Sequence, residues 1–251
     1  MSNDVISTRA LLDSASKEDL EPLVEYILKT STESLSSSPQ YKRYRPDHTR
    51  YVDTIYDEIR LFGGNTFVNL FRKEGPPYFE VLKDAAEKVG VKDAEKYSAV
   101  ELEQYMIQAI LRKAGKEAAG KEGVKLQEAL REAGMNERDY KAFMSGANLA
   151  SLLAPHLYRL FMYETSTIIA STIAKQMLGH SLRVGAGFTA GRAGSLLLGP
   201  VGLVLATIWT AIDIAGPAYR VTVPCTLHIA REFNFEVRHS PMPPDGTLRI
   251  P

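Results

Sequence analysis

The chain has 251 residues, of which 45% are hydrophobic and 24% are charged, a composition close to that of an average globular protein that excludes a disordered chain. Thirty basic and thirty acidic side chains cancel to a formal net charge of zero, so nucleic acid is not expected as a partner. The single cysteine, Cys225, excludes an internal disulfide and a cysteine-rich zinc site.

The amino-terminal sequence MSNDVISTRALLDSASKEDLE contains acidic residues and lacks the apolar core of a secretory signal. Together with the single cysteine, this sequence predicts a cytoplasmic location. Peripheral attachment to the inner membrane stays open, and the contact would then be made with the cytosolic face of that membrane.

The first part of the chain predicts short helices separated by turns. Ser16 is the expected N-cap of one helix, and the serine-rich stretch 34–40 predicts a mobile link. Residues 41–53 combine basic side chains with tyrosines, as surfaces that hold single-stranded nucleic acid do. Nearby acidic residues favour a solvated loop that leads into a helix over 48–62, and the glycines at 63–64 end that helix.

The middle of the chain carries further helix boundaries. A helix is predicted over 78–89, where a glycine follows, and a capping box that begins at Ser98 opens the next helix. The charged stretch 114–134 predicts an exposed helix and a hinge. Asn136 is the expected cap of another short helix.

From residue 149 to residue 230 the chain is apolar almost continuously. We expect one helix that begins or kinks at Pro155, a second helix over 165–182, and a further segment over 217–232. The predicted parts of the chain are an amino-terminal helical module over 1–115, charged connecting helices over 116–148, a hydrophobic helical module over 149–232 and a flexible tail over 233–251.

Residues 183–202, RVGAGFTAGRAGSLLLGPVG, hold six of the eighteen glycines. A phosphate-binding loop needs a lysine after its last glycine, and a dinucleotide-binding loop needs G-x-G-x-x-G directly after a strand. Here Arg192 follows Gly191 and no lysine is present. A helix, and not a strand, is predicted before the stretch, so both kinds of loop are disfavoured. Small residues recur instead at every fourth position, which allows close backbone approach on one helix face. This spacing predicts a tight helical hairpin over 165–215.

The twenty residues over 193–212 carry no charge, and about 20 residues is the nominal length of a membrane-spanning helix. Pro200 interrupts this run, and the predicted helix on each side of it, which extends past the run to about 15 residues, spans about 22 Å, less than the ~30 Å hydrocarbon core. A hairpin buried in a soluble core, conditional membrane association and a permanent span therefore remain as alternatives, of which the span is disfavoured. The residues expected at a membrane or partner contact are Ile169, Ile173, Gly187, Gly191, Ser195, Leu197, Gly199, Leu203, Trp209, Tyr219 and Arg220.

Motifs that carry catalysis or bind metals are missing from the sequence, including the zinc-protease, nucleophile-elbow and EF-hand motifs. Cys225 and His228, three residues apart, have the one local nucleophile–base spacing, and a structural buried cysteine is the alternative. We therefore expect a protein that is not an enzyme, with no catalytic residue, no cofactor and no metal site.

Four blocks occur in order along the chain: FGGNTFVNLFR, YFEVLKDAAEKVGVK, SAVELEQYMIQAILR and GPAYRVTVPCTLHIA. Together they resemble the YaaW-like bacterial proteins, a family largely of unknown function, over about residues 16–231. The resemblance implies a helical bacterial protein and transfers no established catalytic residue. Its occasional link to ubiquinol-cytochrome c chaperones implies an assembly factor as a second hypothesis.

The predicted fold is all-α, a multi-helix bundle with a Gly/Ala-rich hydrophobic helical hairpin in its carboxy-terminal part. The expected function is that of a non-enzymatic cytosolic protein whose hairpin engages a protein partner or the cytosolic face of a membrane. The alternative is a soluble chaperone or assembly factor that holds a client segment in a helical groove. A homo-oligomer is compatible with both hypotheses.

Overall fold

The computed structural model describes residues 3–30, 33–63, 75–117, 121–178 and 217–239. Within these ranges the chain forms α-helices, short 3₁₀-helices and turns and has no strand, which confirms the predicted all-α fold. The α-helices are α1 (Asn3–Ser14), α2 (Lys17–Leu28), α3 (Pro39–Tyr44), α4 (Val52–Phe62), α5 (Tyr78–Val89), α6 (Ala99–Glu117), α7 (Lys121–Glu132), α8 (Glu137–Met144), α9 (Pro155–Leu178) and α10 (Pro217–His239).

Several helix boundaries follow from local capping. At the start of α2 the Ser16 hydroxyl accepts from the Asp19 N–H at 3.2 Å, and the Asp19 carboxylate accepts from the Ser16 N–H at 3.3 Å. Asn136 caps α8 by accepting from the Asp139 N–H at 3.0 Å. Gly90 ends α5 with a left-handed φ of 108°. These caps satisfy backbone groups that a helix end leaves unbonded, and they confirm the predicted boundaries.

The stretch over 34–40, predicted as a mobile link, is packed onto the fold. It contains a 3₁₀-helix, Leu35–Ser37, and the start of α3. Leu35 is 0% exposed. The N–H and the hydroxyl of Ser34 donate to the buried carboxylate of Glu58 on α4, each at 2.5 Å. The prediction was wrong because one apolar anchor and one distant carboxylate fix a segment whose composition is that of a linker.

The charged stretch over 114–134 contains the end of α6 and all of α7. Leu126, Ala129 and Leu130 of α7 are each 0% exposed, whereas Val124 is 53% exposed. Apolar residues three and four positions apart form a stripe that a helix buries against its neighbours. α7 is therefore amphipathic, and the predicted exposure holds only for its charged face.

α9 is one continuous helix where the sequence predicts two. Pro155 lies at its first position, where the missing N–H costs no helical hydrogen bond. In its middle the hydroxyls of Ser166 and Thr167 donate to the Tyr163 carbonyl at 3.0 and 2.8 Å. These polar side chains are satisfied by the helix itself, so they do not interrupt it.

α10 is the central helix of the described fold. Every residue over 221–232 is buried, and the helix packs against α1, α2, α4, α5, α6 and α9. A helix that is buried on every face requires neighbours on all sides, which explains why α10 lies in the middle although it comes last. It contains Pro224 and continues to His239, beyond the boundary that the sequence predicts for the tail.

One hydrophobic core extends through both predicted modules. Its buried residues run from Leu12 in α1 to Ala230 in α10 and include side chains of α4, α6, α7, α8 and α9. The predicted boundaries at 115 and 148 therefore separate stretches that share one core, and the division into modules stays a prediction.

Candidate functional site

The residues expected at a membrane or partner contact fall into two groups. Tyr219 and Arg220 lie on α10, and Ile169 and Ile173 lie on α9. The others fall within 179–216, outside the described residues, and are Gly187, Gly191, Ser195, Leu197, Gly199, Leu203 and Trp209. The described structure thus fixes the two helices that flank the central part of the predicted hairpin.

α9 uses its small residues in the core. Ser166 and Ala170 are each 1% exposed and Ala174 is 0% exposed, beside Ile169 at 0% and Ile173 at 1%. Neither isoleucine is presented to lipid or to a partner in this conformation. A contact through them would require α9 to leave the core, and their expected role stays a prediction.

On the other flank, the first turn of α10 carries the half-buried Tyr219 and the exposed Arg220. Tyr219 packs against the core, and the Lys88 ammonium on α5 lies 5.2 Å from the centre of its ring. Burial, together with the carboxylates of Asp84 and Glu87, raises the pKa of Tyr219. Arg220 is exposed. An aromatic ring and a cation are therefore present where α10 begins.

Most of the block FGGNTFVNLFR falls within 64–74, outside the described residues. The structure does describe the residues on either side of this segment, Gly63 and Gly75. Arg60 donates from Nε to the Pro76 carbonyl and from Nη2 to the Gly75 carbonyl, each at 2.8 Å. A Cβ at Gly75 would overlap the Arg60 backbone, and a Cβ at Gly63 would overlap the Val81 side chain. Close packing therefore requires glycine at both edges.

Cys225 and His228, the candidate nucleophile and base, are 0% and 1% exposed inside the core. Burial raises the pKa of the Cys225 thiol, while burial and the nearby Arg231 lower the pKa of His228 to about 4. His228 Nε2 donates to the Asp19 carbonyl at 2.9 Å. Near pH 7 the thiol is therefore protonated and the imidazole neutral, a state in which this pair provides no thiolate nucleophile.

A group of polar side chains surrounds His228. The Arg231 guanidinium pairs with the Glu232 carboxylate and lies 3.9 Å from the Asp19 carboxylate. Glu232 Oε1 is 3.7 Å from His228 Nε2, and the Tyr26 ring meets the imidazole edge-on with centroids 6.3 Å apart. We call Asp19, Tyr26, His228, Arg231 and Glu232 the α10 polar cluster. It joins α2 to α10 by polar contacts.

Reasoning from the sequence missed the α10 polar cluster as a unit. The available signal was the charged pair Arg231 and Glu232 directly after the apolar run that ends at Ala230, on a segment already predicted to continue to Glu232. Charges that end an apolar segment are usually solvated, whereas Arg231 and Glu232 are 6% and 7% exposed.

The basic and aromatic stretch over 41–53 forms α3 and a 3₁₀-helix rather than an open loop. The guanidinium carbons of Arg43 and Arg50 lie 5.4 and 4.9 Å from the centre of the Tyr44 ring. That of Arg45 lies 5.6 Å from the Tyr41 ring centre. Three arginines of this stretch therefore stack on its own tyrosines.

Within the described ranges, none of the helices has both the length and the apolar character that crossing a bilayer requires. The same ranges contain no group of three His, Cys, Asp or Glu side chains placed to hold a metal ion. The uncharged run over 193–212 lies outside the residues to which these two findings apply.

Comparison with curated proteins decides the family. A UPF0174 protein of Helicobacter pylori strain J99 is 33% identical to the chain over 202 residues, which are 80% of this chain and 78% of that protein. A second UPF0174 protein of the same strain is 34% identical over 205 residues, which are 79% of this chain and 95% of that protein. The chain belongs to the UPF0174 family.

UPF0174 protein YaaW of Escherichia coli strain K12 is 29% identical over 183 residues, which are 73% of this chain and 71% of that protein. This similarity confirms the resemblance to YaaW-like proteins that the four sequence blocks indicate. The chain matches no family model and no solved structure. The function of this UPF0174 protein must therefore be argued from its own residues.

Proposed function

We propose that this UPF0174 protein is a non-enzymatic, cytosolic protein that attaches peripherally to a membrane through the segment over 179–216. The helices α9 and α10 hold the two ends of this segment in the folded core. The uncharged run over 193–212 makes the contact with lipid, and the cytosolic face of the membrane is the surface that it meets.

The observation that carries the proposal is the length of chain between two helices that pack directly together. α9 ends at Leu178 and α10 begins at Pro217, yet the two helices contact each other extensively. Connections between packed helices usually need only about 2–8 residues. The segment over 179–216 is therefore far longer than the connection requires, which favours a function of its own.

The sequence of that segment supports lipid as its contact. Twenty residues over 193–212 carry no charge, and Arg192 and Asp213 flank them. Pro200 limits each helix predicted from the sequence on its two sides to about 22 Å, which favours insertion at the interface over a full span. At the start of α10, Tyr219 and Arg220 have the residue types that anchor proteins at membrane surfaces.

Flotation with vesicles of phosphatidylethanolamine and phosphatidylglycerol tests the proposal. We expect the wild-type protein to rise with the vesicles and the double variant Leu197→Asp/Leu203→Asp to stay in the dense fraction, because inserting two carboxylates into the acyl region is costly. Val124→Asp is the matched control, since Val124 is an exposed apolar residue of α7, and it should float like the wild type.

Two outcomes would contradict the proposal. Wild-type protein that stays in the dense fraction would exclude attachment to these lipids. Flotation of Leu197→Asp/Leu203→Asp equal to that of the wild type would show that another part of the chain makes the contact.

A further inference from the structure

A cleft with a volume of about 450 Å³ lies where the end of α5, α6 and the end of α8 converge. This volume is within the range of small-molecule sites. We call it the basic cleft, because its lining includes two tyrosines and four cations: Tyr97, Tyr105, Lys92, Arg112, Lys113 and Lys116. It shares no residue with the α10 polar cluster.

The charge of the cleft departs from that of the whole chain, whose formal net charge is zero. Among the described residues of the lining, Asp93 is the one acidic residue, and its carboxylate pairs with the Lys96 ammonium at 3.0 Å. Lys92 and Lys116 are exposed and form no ion pair with any described residue. A concave surface with an excess of one charge concentrates ligands of the opposite charge.

Arg112 is held in place before any ligand arrives. Its Nε donates to the Phe143 carbonyl at 2.9 Å, and its Nη2 donates to the Ala147 carbonyl at 2.7 Å. These bonds leave Nη1 uncommitted. A guanidinium that is already fixed loses little conformational freedom when it binds an anion.

Tyr97 and Tyr105 provide an aromatic wall beside the cations. Their ring centroids are 4.4 Å apart with an angle of 43° between the ring planes. The Tyr105 hydroxyl accepts from the Asn148 side-chain amide at 3.0 Å, which fixes that ring. The cleft therefore combines a cationic side with a surface on which a flat or apolar group packs.

We propose that the basic cleft binds a small phosphorylated molecule. Lys92, Arg112 and Lys116 contact the phosphate oxygens, and the pair Tyr97 and Tyr105 packs against the remainder of the ligand. Phosphate is the favoured anion because a guanidinium and two ammonium groups together match its charge and its several acceptor oxygens. This binding does not depend on membrane attachment by the segment over 179–216.

Calorimetric titration of the full chain at low ionic strength tests the proposal, with inorganic pyrophosphate and ADP as separate probes. We expect saturable binding of at least one probe and an affinity loss of about tenfold or more in Lys92→Glu/Lys116→Glu, because attraction becomes repulsion. The matched control is Lys29→Glu/Lys42→Glu, which makes the same charge change at exposed residues outside the cleft and should keep the wild-type affinity.

The titration also separates the sources of the phosphate. Tighter binding of ADP than of pyrophosphate would support a contribution from the tyrosine pair, and equal binding would support a site for the phosphates alone. Binding to phosphatidylglycerol vesicles without binding to either small probe would overturn the proposal. So would the lack of any binding, or equal affinity losses in the two double variants when circular dichroism shows that both are folded.

Discussion

His228 couples protonation to folding because it is buried between α10 and α2. It is 1% exposed and donates to the Asp19 carbonyl. Burial first, and Arg231 second, lower its pKa to about 4 from the ordinary value of 6.5. Between these pH values the unfolded chain binds a proton that the folded chain excludes. The contribution of the neutral His228 to the free energy of unfolding is therefore complete above pH 6.5 and is lost as the pH falls toward 4.

From His228 alone we expect the free energy of unfolding to be about 2 kcal/mol lower at pH 5 than at pH 7.5, because one unit of pKa difference corresponds to about 1.4 kcal/mol. Urea titrations at the two pH values measure this difference. His228→Asn removes the titrating group, so the difference between the two pH values should shrink by about the same amount.

The control for this prediction is His156→Asn, since His156 is exposed on α9. It should leave the pH dependence of the wild type unchanged. A His228→Asn variant with the full wild-type pH dependence would show that His228 does not stay neutral in the folded protein.

At the scale of single residues, the sequence reveals roles that depend on near neighbours. Ser16 and Asn136 were predicted as caps because a cap bonds a backbone amide three residues away. The contact between His228 and Asp19 joins positions 209 residues apart. It depends on how α2 and α10 pack together, so no local sequence pattern predicts it.

At the scale of elements, α6 holds the carboxy-terminal end of α8 through Arg112. The guanidinium donates to the carbonyls of Phe143, Gly146 and Ala147 at 2.9, 3.2 and 2.7 Å. It also lies 4.7 Å from the centre of the Phe143 ring. Phe143 lies in the last turn of α8, and Gly146 and Ala147 lie in the turn that follows it, so one side chain of α6 fixes both the end of α8 and the turn after it.

We expect Arg112→Leu to lower the free energy of unfolding by about 2 kcal/mol, because hydrogen bonds from a charged donor contribute more than neutral ones. Urea denaturation measures the loss. Lys141→Ala is the control on α8, where the pair with Glu137 at 2.8 Å is exposed to solvent and should contribute much less to stability. Equal losses in the two variants would contradict the role of Arg112.

The sequence predicts most helices but not how they continue or which face they bury. Capping residues and glycines located the limits of α5 and α8. The sequence predicts two helices where α9 is one, and it does not show that the Ser166 and Thr167 hydroxyls bond to a carbonyl of their own helix. Likewise, α7 buries Leu126 and Leu130 only because neighbouring helices cover them.

At the scale of the whole molecule, the helical class was predictable and the shared core was not. Apolar spacing of three and four residues predicts helices wherever it occurs. That the last described helix, α10, lies at the centre depends on a core whose residues are as distant in the sequence as Leu12 and Ala230. The expected contact residues over 179–216 lie outside the described residues, so their role is predicted from the sequence alone.

The chain contains one tryptophan, Trp209, and it lies within the uncharged run over 193–212. Its fluorescence therefore reports on the segment proposed to contact lipid, with no contribution from another tryptophan. A control chain, Trp209→Phe/Val124→Trp, moves the single tryptophan to an exposed position of α7.

The most direct measurement is quenching of Trp209 fluorescence by vesicles whose acyl chains carry bromine, compared with vesicles of the same lipids without bromine. The proposal predicts a shift of the wild-type emission to shorter wavelength with both kinds of vesicle, and strong quenching only with bromine. The control chain should show neither effect. Wild-type emission that vesicles leave unchanged, or that bromine does not quench, would contradict membrane contact by this segment.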